Sequence, residues 1–198
     1  QLALIEAAGR GESVLLVAPT GGGKTLAGFL PTLIDLSGSD VLAVSRPGPK
    51  RRRPRTLHTL YMSPLKALAV DVARNLETPV AEMGLPITVE TRTGDTPAAR
   101  RARQRHTPPD ILLTTPEQLA LLLAHKRADQ LFSGLKTVVL DELHALYNSK
   151  RGDLLALGLA RLSALAPGHR RVGLSATVAD PVPLQRFLMP QNGESLSL

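Results

Sequence analysis

The sequence has no cysteine and no tryptophan, and aromatic residues make up only 3% of it. Without cysteine there can be no disulfide, no thiolate-bound zinc and no iron–sulfur cluster, which fits a reducing, cytoplasmic setting. So few aromatics leave little material for stacking against nucleobases. No apolar run approaches the ~20 residues needed to cross a bilayer, so no membrane role is expected. The opening residues QLALIEAAGRGES carry Glu6 and no positive leader, which is not the pattern of a secretory signal.

Of the 198 residues, 43% are hydrophobic, enough for one domain with an ordinary core. The net charge is +7, and a basic domain suggests an anionic partner such as nucleic acid. The charge is unevenly placed, however. Arg46, Lys50, Arg51, Arg52, Arg53 and Arg55 share one short acid-free stretch, and without those six the net charge is +1. That stretch, with Pro47, Pro49 and Pro54, predicts an exposed basic loop over residues 37–56.

Short apolar runs at residues 13–17, 59–63, 87–93, 110–115, 136–142 and 170–177 read as strands. "DILLTT" and "TVVLDE" are nearly continuous, as in parallel strands buried on both faces. Helical stripes lie between them: Leu26, Phe29, Leu30, Leu33 and Ile34, with Pro31 expected to kink the helix, then Leu65, Leu68, Ala69, Val72 and Leu76. The alternation predicts a single α/β domain over residues 1–198, a mostly parallel central sheet with helices on both faces. Ser63–Pro64 and Thr115–Pro116–Glu117–Gln118 read as capped helix starts, the second as a capping box. Residues 190–198 lack periodicity and are expected to be loose.

The first strand runs into "APTGGGKT", Ala18 to Thr25. Three glycines let backbone N–H groups close around an anion, and the helix that follows offers its positive end. Thr20, Gly21, Gly22, Gly23, Lys24 and Thr25 would cradle ATP, with Lys24 on the terminal phosphates and the Thr25 hydroxyl on Mg²⁺. The plainer reading is a glycine-rich turn, which the strand–loop–helix context disfavours. "TVVLDELH" places Asp141, Glu142 and His144 at the end of an apolar strand. Asp141 would hold the metal and Glu142 would activate the attacking water. Alone, these acids could simply cap a helix N-terminus.

In order and approximate spacing, "APTGGGKT", "SPLKAL", "TGD", "TTPEQL", "DELH" and "SAT" resemble the first RecA-like domain of superfamily-two DExH-box helicases. The strings "RTGDTPAARRARQRHTPPDILLTTPEQLALLL", "LDELHALYNSKRGDLLALGLARL" and "GLSATVADP" resemble the large helicase-related group, nearest to the bacterial ligase-associated helicases. The resemblance covers nearly the whole chain. It implies a RecA-like P-loop fold and adenine recognition by Gln1, 17 residues before Ala18. Ser175 and Thr177 would couple ATP turnover to strand movement, with His144 as their contact. Pro64, Lys66, Thr93, Gly94, Asp95, Thr115, Pro116 and Glu117 would line one nucleic-acid strand.

Taken together, the expectation is an ATP- and Mg²⁺-dependent DNA motor domain, moving 3′ to 5′ in DNA repair, on single-stranded or partly duplex DNA. RNA and RNA–DNA hybrids remain alternatives. The expected partners are a second RecA-like domain of the same parent chain, an ATP-dependent DNA ligase and a nuclease. Nothing after "SAT" resembles that second domain, so this chain alone is expected to bind nucleotide weakly and hydrolyse it slowly. A P-loop switch or small-molecule kinase would leave "SPLKAL", "TTPEQL" and "SAT" unexplained. An inactive nucleic-acid-binding module is disfavoured by intact Lys24, Thr25, Asp141 and Glu142. Arg100, Arg101, Arg103 and Arg105 read either as phosphate contacts or as a solvated helix face. "SKRG", residues 149–152, reads only as an exposed basic turn.

Overall fold

Six apolar runs become strands almost where the pattern puts them: β1 Val14–Val17, β2 Thr59–Met62, β3 Val89–Arg92, β4 Ile111–Thr114, β5 Thr137–Leu140 and β6 Arg170–Ser175. The computed structural model describes residues 2–19, 23–44, 56–189 and 196–197. Among these residues the sheet runs β3–β4–β2–β5–β6–β1–β7, with every pairing parallel. The last strand, β7, is Leu196–Ser197, paired with Val14 and Leu15 of β1. Residues 196–197 of the tail expected to be loose therefore form an edge strand, which a two-residue pairing leaves no periodicity to announce, and residues 190–195 and 198 lie outside the described residues.

Helices α1 Leu2–Gly9, α2 Lys24–Val44, α3 Lys66–Glu82, α4 Ala98–His106, α5 Pro116–Leu123, α6 Ala128–Phe132, α7 Leu143–Tyr147, α8 Lys150–Leu165 and α9 Val182–Leu188 connect the strands. Successive residues of each strand face opposite sides of the sheet. Leu60, Met62, Val138 and Leu140 join a core beneath α5 to α9, whereas Tyr61 and Val139 join one beneath α1 to α3. This two-sided burial is why the strands read as unbroken apolar runs.

Pro31 lies inside α2 as expected, with buried Phe29, Thr32 and Leu33 holding the helix against the sheet. Several local expectations are corrected. Leu26 and Ile34 of the expected stripe are exposed instead. The basic loop begins later than residue 37, because α2 extends to Val44. Residues 45–55, including Arg46 to Arg55, lie outside the described residues. Helix α3 starts at Lys66 rather than at Pro64. The Ser63 hydroxyl instead closes a tight turn, donating to the Leu65 carbonyl and accepting from its N–H. Helix α5 does start at Pro116, but no side chain caps it, and Gln118 Oε1 is buried without a hydrogen bond.

Candidate functional site

Parallel pairing places the carboxyl ends of β1, β6, β5, β2, β4 and β3 along one edge of the sheet, where open α/β folds bind ligands. Val17 lies opposite Ser175, Leu140 opposite Gly173, and Met62 opposite both Leu140 and Thr114. Backbone bonds carry the alignment past the strand ends. Ala18 N–H donates to the Ser175 carbonyl at 3.2 Å, and Asp141 N–H donates to the Met62 carbonyl at 2.9 Å. Segments far apart in sequence thus converge at this edge.

Lys24 begins α2 and is 7% exposed. Its ammonium donates to the Ala18 and Pro19 carbonyls at 2.7 and 2.9 Å, so it folds back over the start of the phosphate loop. Gly23 has φ of +70°, a conformation that glycine adopts at little cost. Gln1, Thr20, Gly21 and Gly22 lie outside the described residues.

Asp141 ends β5 and is 3% exposed. Tyr61, fully buried on the neighbouring strand, donates its hydroxyl to Asp141 Oδ2, and Glu142 N–H donates to Oδ1 at 2.9 Å. Burial pushes the Asp141 carboxyl up, while these two donors and the positive charge of Lys24 oppose the rise. A carboxylate and the Thr25 hydroxyl are hard oxygen donors of the kind Mg²⁺ takes, so the residues present fit that ion. Inside the buried strand β2, Tyr61 looks in sequence like core alone, and no neighbouring residue marks it as a partner of Asp141.

Glu142 has φ of 49° and ψ of 44°, and is the only non-glycine residue with positive φ among the described residues. Such strain in a charged residue at a strand end marks a position set by its surroundings. Its Oε2 lies 3.3 Å from His144 Nε2. His144 Nδ1 accepts the Ala176 N–H at 3.2 Å and lies 3.2 Å from Ser175 Oγ. A backbone N–H can only donate, so in the neutral imidazole the ring proton sits on Nε2, facing Glu142. His144 therefore joins the strained acid to the end of β6. The expected contact with Ser175 is present. Thr177 is exposed and makes no hydrogen bond to His144.

The remaining sequence-predicted residues follow β2, β3 and β4. Lys66, Gly94, Asp95 and Glu117 are exposed, whereas Thr93, Thr115 and Pro116 are buried and shape the turns. Lys66 pairs with Asp95 at 2.7 Å, joining α3 to the β3–α4 turn. Arg100 and Arg103 turn onto Glu90 of β3, so two of the four helix arginines are held on the domain's own surface. The "SKRG" turn has more structure than its sequence suggests. Ser149 caps α8 by accepting from Gly152 N–H, and Arg151 grips Glu117 and the Pro64 carbonyl.

A parallel sheet with a phosphate-type loop, an acidic strand end and a histidine relay at its carboxyl edge defines a RecA-like nucleotide-binding domain. The DEAD/DEAH box helicase family model matches residues 1–184, and the chain belongs to that family. It is 45% identical over 195 residues to the Lhr helicase/uracil glycosylase of Escherichia coli K12, covering 91% of this chain and 12% of that protein. It is 39% identical to the ATP-dependent helicase Lhr-Core of Methanothermobacter thermautotrophicus, covering 91% of this chain and 21% of that one. The chain thus spans a small part of the curated relatives it matches. Among solved structures, Mycobacterium smegmatis Lhr bound to single-stranded DNA and AMP-PNP superposes with a TM-score of 0.82 at 40% identity, covering 99% of this chain and 25% of that one. The DUF1998 helicase MrfA bound to DNA and AMPPNP gives 0.81 at 28% identity, covering all of this chain and 26% of that one.

Proposed function

We propose that this domain is the nucleotide-gripping half of an ATP-dependent DNA motor, completed by a second RecA-like domain of the same parent protein. The observation that carries the reading is the Glu142–His144–Ala176 path, which ties the candidate water-activating acid to the end of β6. A motor must transmit the state of its phosphate site to its track, and this path leads from that site to the end of β6, beside the turns that carry the helicase-like motifs.

In this reading Lys24 exchanges its two loop carbonyls for phosphate oxygens, and Thr20 to Gly23 supply backbone N–H groups. Gln1 reads the adenine. Asp141 and Thr25 hold Mg²⁺, which when bound neutralises charge developing on the transferred phosphate. Glu142 orients and deprotonates the attacking water, while the proton on His144 Nε2 holds that carboxylate in place. Ser175 and Thr177 pass the change to the strand-binding turns.

Pro64, Lys66, Thr93, Gly94, Asp95, Thr115, Pro116 and Glu117 follow three adjacent strands, a suitable track for one nucleic-acid backbone. Contacts from turns and helix N-termini grip phosphate without reading bases, as a translocating motor requires. The DNA in the Lhr and MrfA structures supports DNA over RNA as the track. Movement 3′ to 5′, a repair role, cytoplasmic placement, and ligase and nuclease partners rest on the helicase resemblance. No described helix is long and apolar enough to cross a membrane.

The test is ATP hydrolysis by the full-length parent protein with and without single-stranded DNA or RNA. Stimulation by DNA is expected, and Glu142→Gln should retain ATP binding but lose turnover. Normal hydrolysis by that variant would remove Glu142 from the role of base. Equal rates with and without any nucleic acid would return the domain to a plain nucleotide switch.

A further inference from the structure

Arg151 joins segments that are remote in sequence. Its Nε and Nη2 donate to the two carboxylate oxygens of Glu117 at 2.5 and 3.0 Å, and its Nη1 donates to the Pro64 carbonyl. Pro64 follows β2 and Glu117 lies in the first turn of α5 after β4, so one guanidinium bridges the turns above two adjacent strands. A planar fork is suited to this geometry, since a lysine could reach one of the three acceptors but not all in fixed directions.

The backbone that carries this side chain is tied to the helix that leaves the Asp141–Glu142 strand end. Helix α7 begins directly after Glu142, and the Ser149 hydroxyl donates to the Leu146 carbonyl at 2.7 Å while capping α8 through Gly152 N–H. A β-carbon on Gly152 would lie 2.1 Å from the Leu146 carbonyl oxygen, so only glycine allows α7 and α8 to meet this closely. Arg151 is thereby held at a fixed place relative to the Asp141–Glu142 strand end. The pair itself is solvent-facing, with side chains 38% and 48% exposed. An exposed ion pair contributes little to stability, so its geometry needs another explanation.

We infer that Arg151 is a positioning residue that fixes the spacing of the Pro64 and Glu117 turns and links it to the helix leaving the Asp141–Glu142 strand end, so that strand binding and ATP turnover are coupled. The inference rests on the reading of those turns as part of the nucleic-acid track. Direct phosphate binding by the Arg151 charge is the competing explanation, and it makes opposite predictions.

The experiment uses the full-length parent protein and measures ATP hydrolysis against the concentration of a single-stranded DNA oligonucleotide, separating half-saturating DNA from maximal rate. Arg151→Lys and Arg151→Met should both raise half-saturating DNA by about tenfold, within the usual range of coupling between sites. Glu117→Gln should do the same, and the double variant Arg151→Met/Glu117→Gln should be no worse than either single one. Wild-type behaviour of Arg151→Lys, tighter DNA binding by Glu117→Gln, or additive losses in the double variant would overturn the inference. Hydrogen exchange without DNA gives a second measurement. The amides of Ala69 and Leu119, which close the first turns on the Leu65 and Thr115 carbonyls, should exchange about threefold faster in Arg151→Met, and unchanged exchange would equally overturn it. If the wild-type parent ignored nucleic acid altogether, the DNA-motor reading would fail, while the exchange measurement would still decide whether the clamp exists.

Discussion

The Tyr61 hydroxyl donates to Asp141 Oδ2 across neighbouring strands, with Tyr61 fully buried and Asp141 3% exposed. The tyrosine ring also stacks on Phe29 of α2, with centroids 5.2 Å apart. One aromatic side chain therefore connects the helix that begins at Lys24 to the acid expected to hold the metal. Its phenol is pushed far up by burial and by the Asp141 charge, so it remains a donor at any ordinary pH. Tyr61→Phe keeps the shape and removes the donor. It should cost about 1–3 kcal/mol in chemical denaturation, as for a buried hydrogen bond to a charged group. The Asp141 carboxyl should move further up, and turnover by the parent protein should require more Mg²⁺. An unchanged denaturation midpoint and an unchanged Mg²⁺ requirement would show that the bond orients nothing.

Gly152 offers a test of packing in which two effects oppose each other. Alanine is favoured over glycine inside a helix by roughly 1 kcal/mol. Here the added carbon would meet the Leu146 carbonyl oxygen at 2.1 Å and the Tyr147 carbonyl oxygen at 3.0 Å, and backbone cannot swing aside as a side chain can. Overpacking should win, giving a net loss of about 1–3 kcal/mol. For a domain of this size that lowers the melting temperature by roughly 3–10 °C. A variant melting at or above the parent temperature would mean that α7 and α8 are not in fixed contact.

The Arg151–Glu117 pair has a defined pH window. Hydrogen bonds from Arg151 bring the Glu117 carboxyl to about 2, against the opposing effect of burial. An ordinary glutamate titrates at about 4.3. A carboxylate lowered on folding favours the folded state above its unfolded value, and loses that contribution as pH falls through the folded one. The pair should therefore be intact at pH 5 and lost between roughly pH 4 and pH 2. In Arg151→Met the Glu117 side-chain carbon signal, followed by NMR, should titrate close to the ordinary value. A titration as low as that of the wild type would assign the shift to something other than Arg151.

What could be read from the sequence divides by the range of the interactions involved. Buried parallel strands declare themselves through runs such as Leu112–Leu113 and Val138–Val139, because both sheet faces are covered. Lys24, Asp141, Glu142 and His144 stand out as candidates because the motifs that single them out are contiguous in the chain. The start of α3 was not, since Ser63 can bond either a helix N-terminus or its own turn, and the turn won. Nor was the capping box at Gln118, which is drawn into the interior instead of reaching back. Arg151 was least visible of all. Its acceptors lie 34 and 87 residues away, and only the strand order β4–β2–β5 brings them together.

Glu142 separates the demands of folding from those of the site. Left-handed backbone costs an ordinary L-residue about 1–2 kcal/mol, and asparagine tolerates it better. Glutamate at φ 49° is therefore locally unfavourable, and among the described residues the ion-pair partner of its side chain is His144, at 3.3 Å. Glu142→Asn should relieve part of the strain without the unfolded-state entropy that glycine adds, raising stability by about 0.5–1 kcal/mol. The shorter amide cannot accept a proton from water, so turnover by the parent protein should stop. Thermal melting and ATP hydrolysis, measured on the same variant, test both halves. If Glu142→Asn melted lower than the wild type, the strain would not be where the backbone places it. If it still hydrolysed ATP, the reason for keeping a strained glutamate would have to lie outside the chemistry of the attacking water.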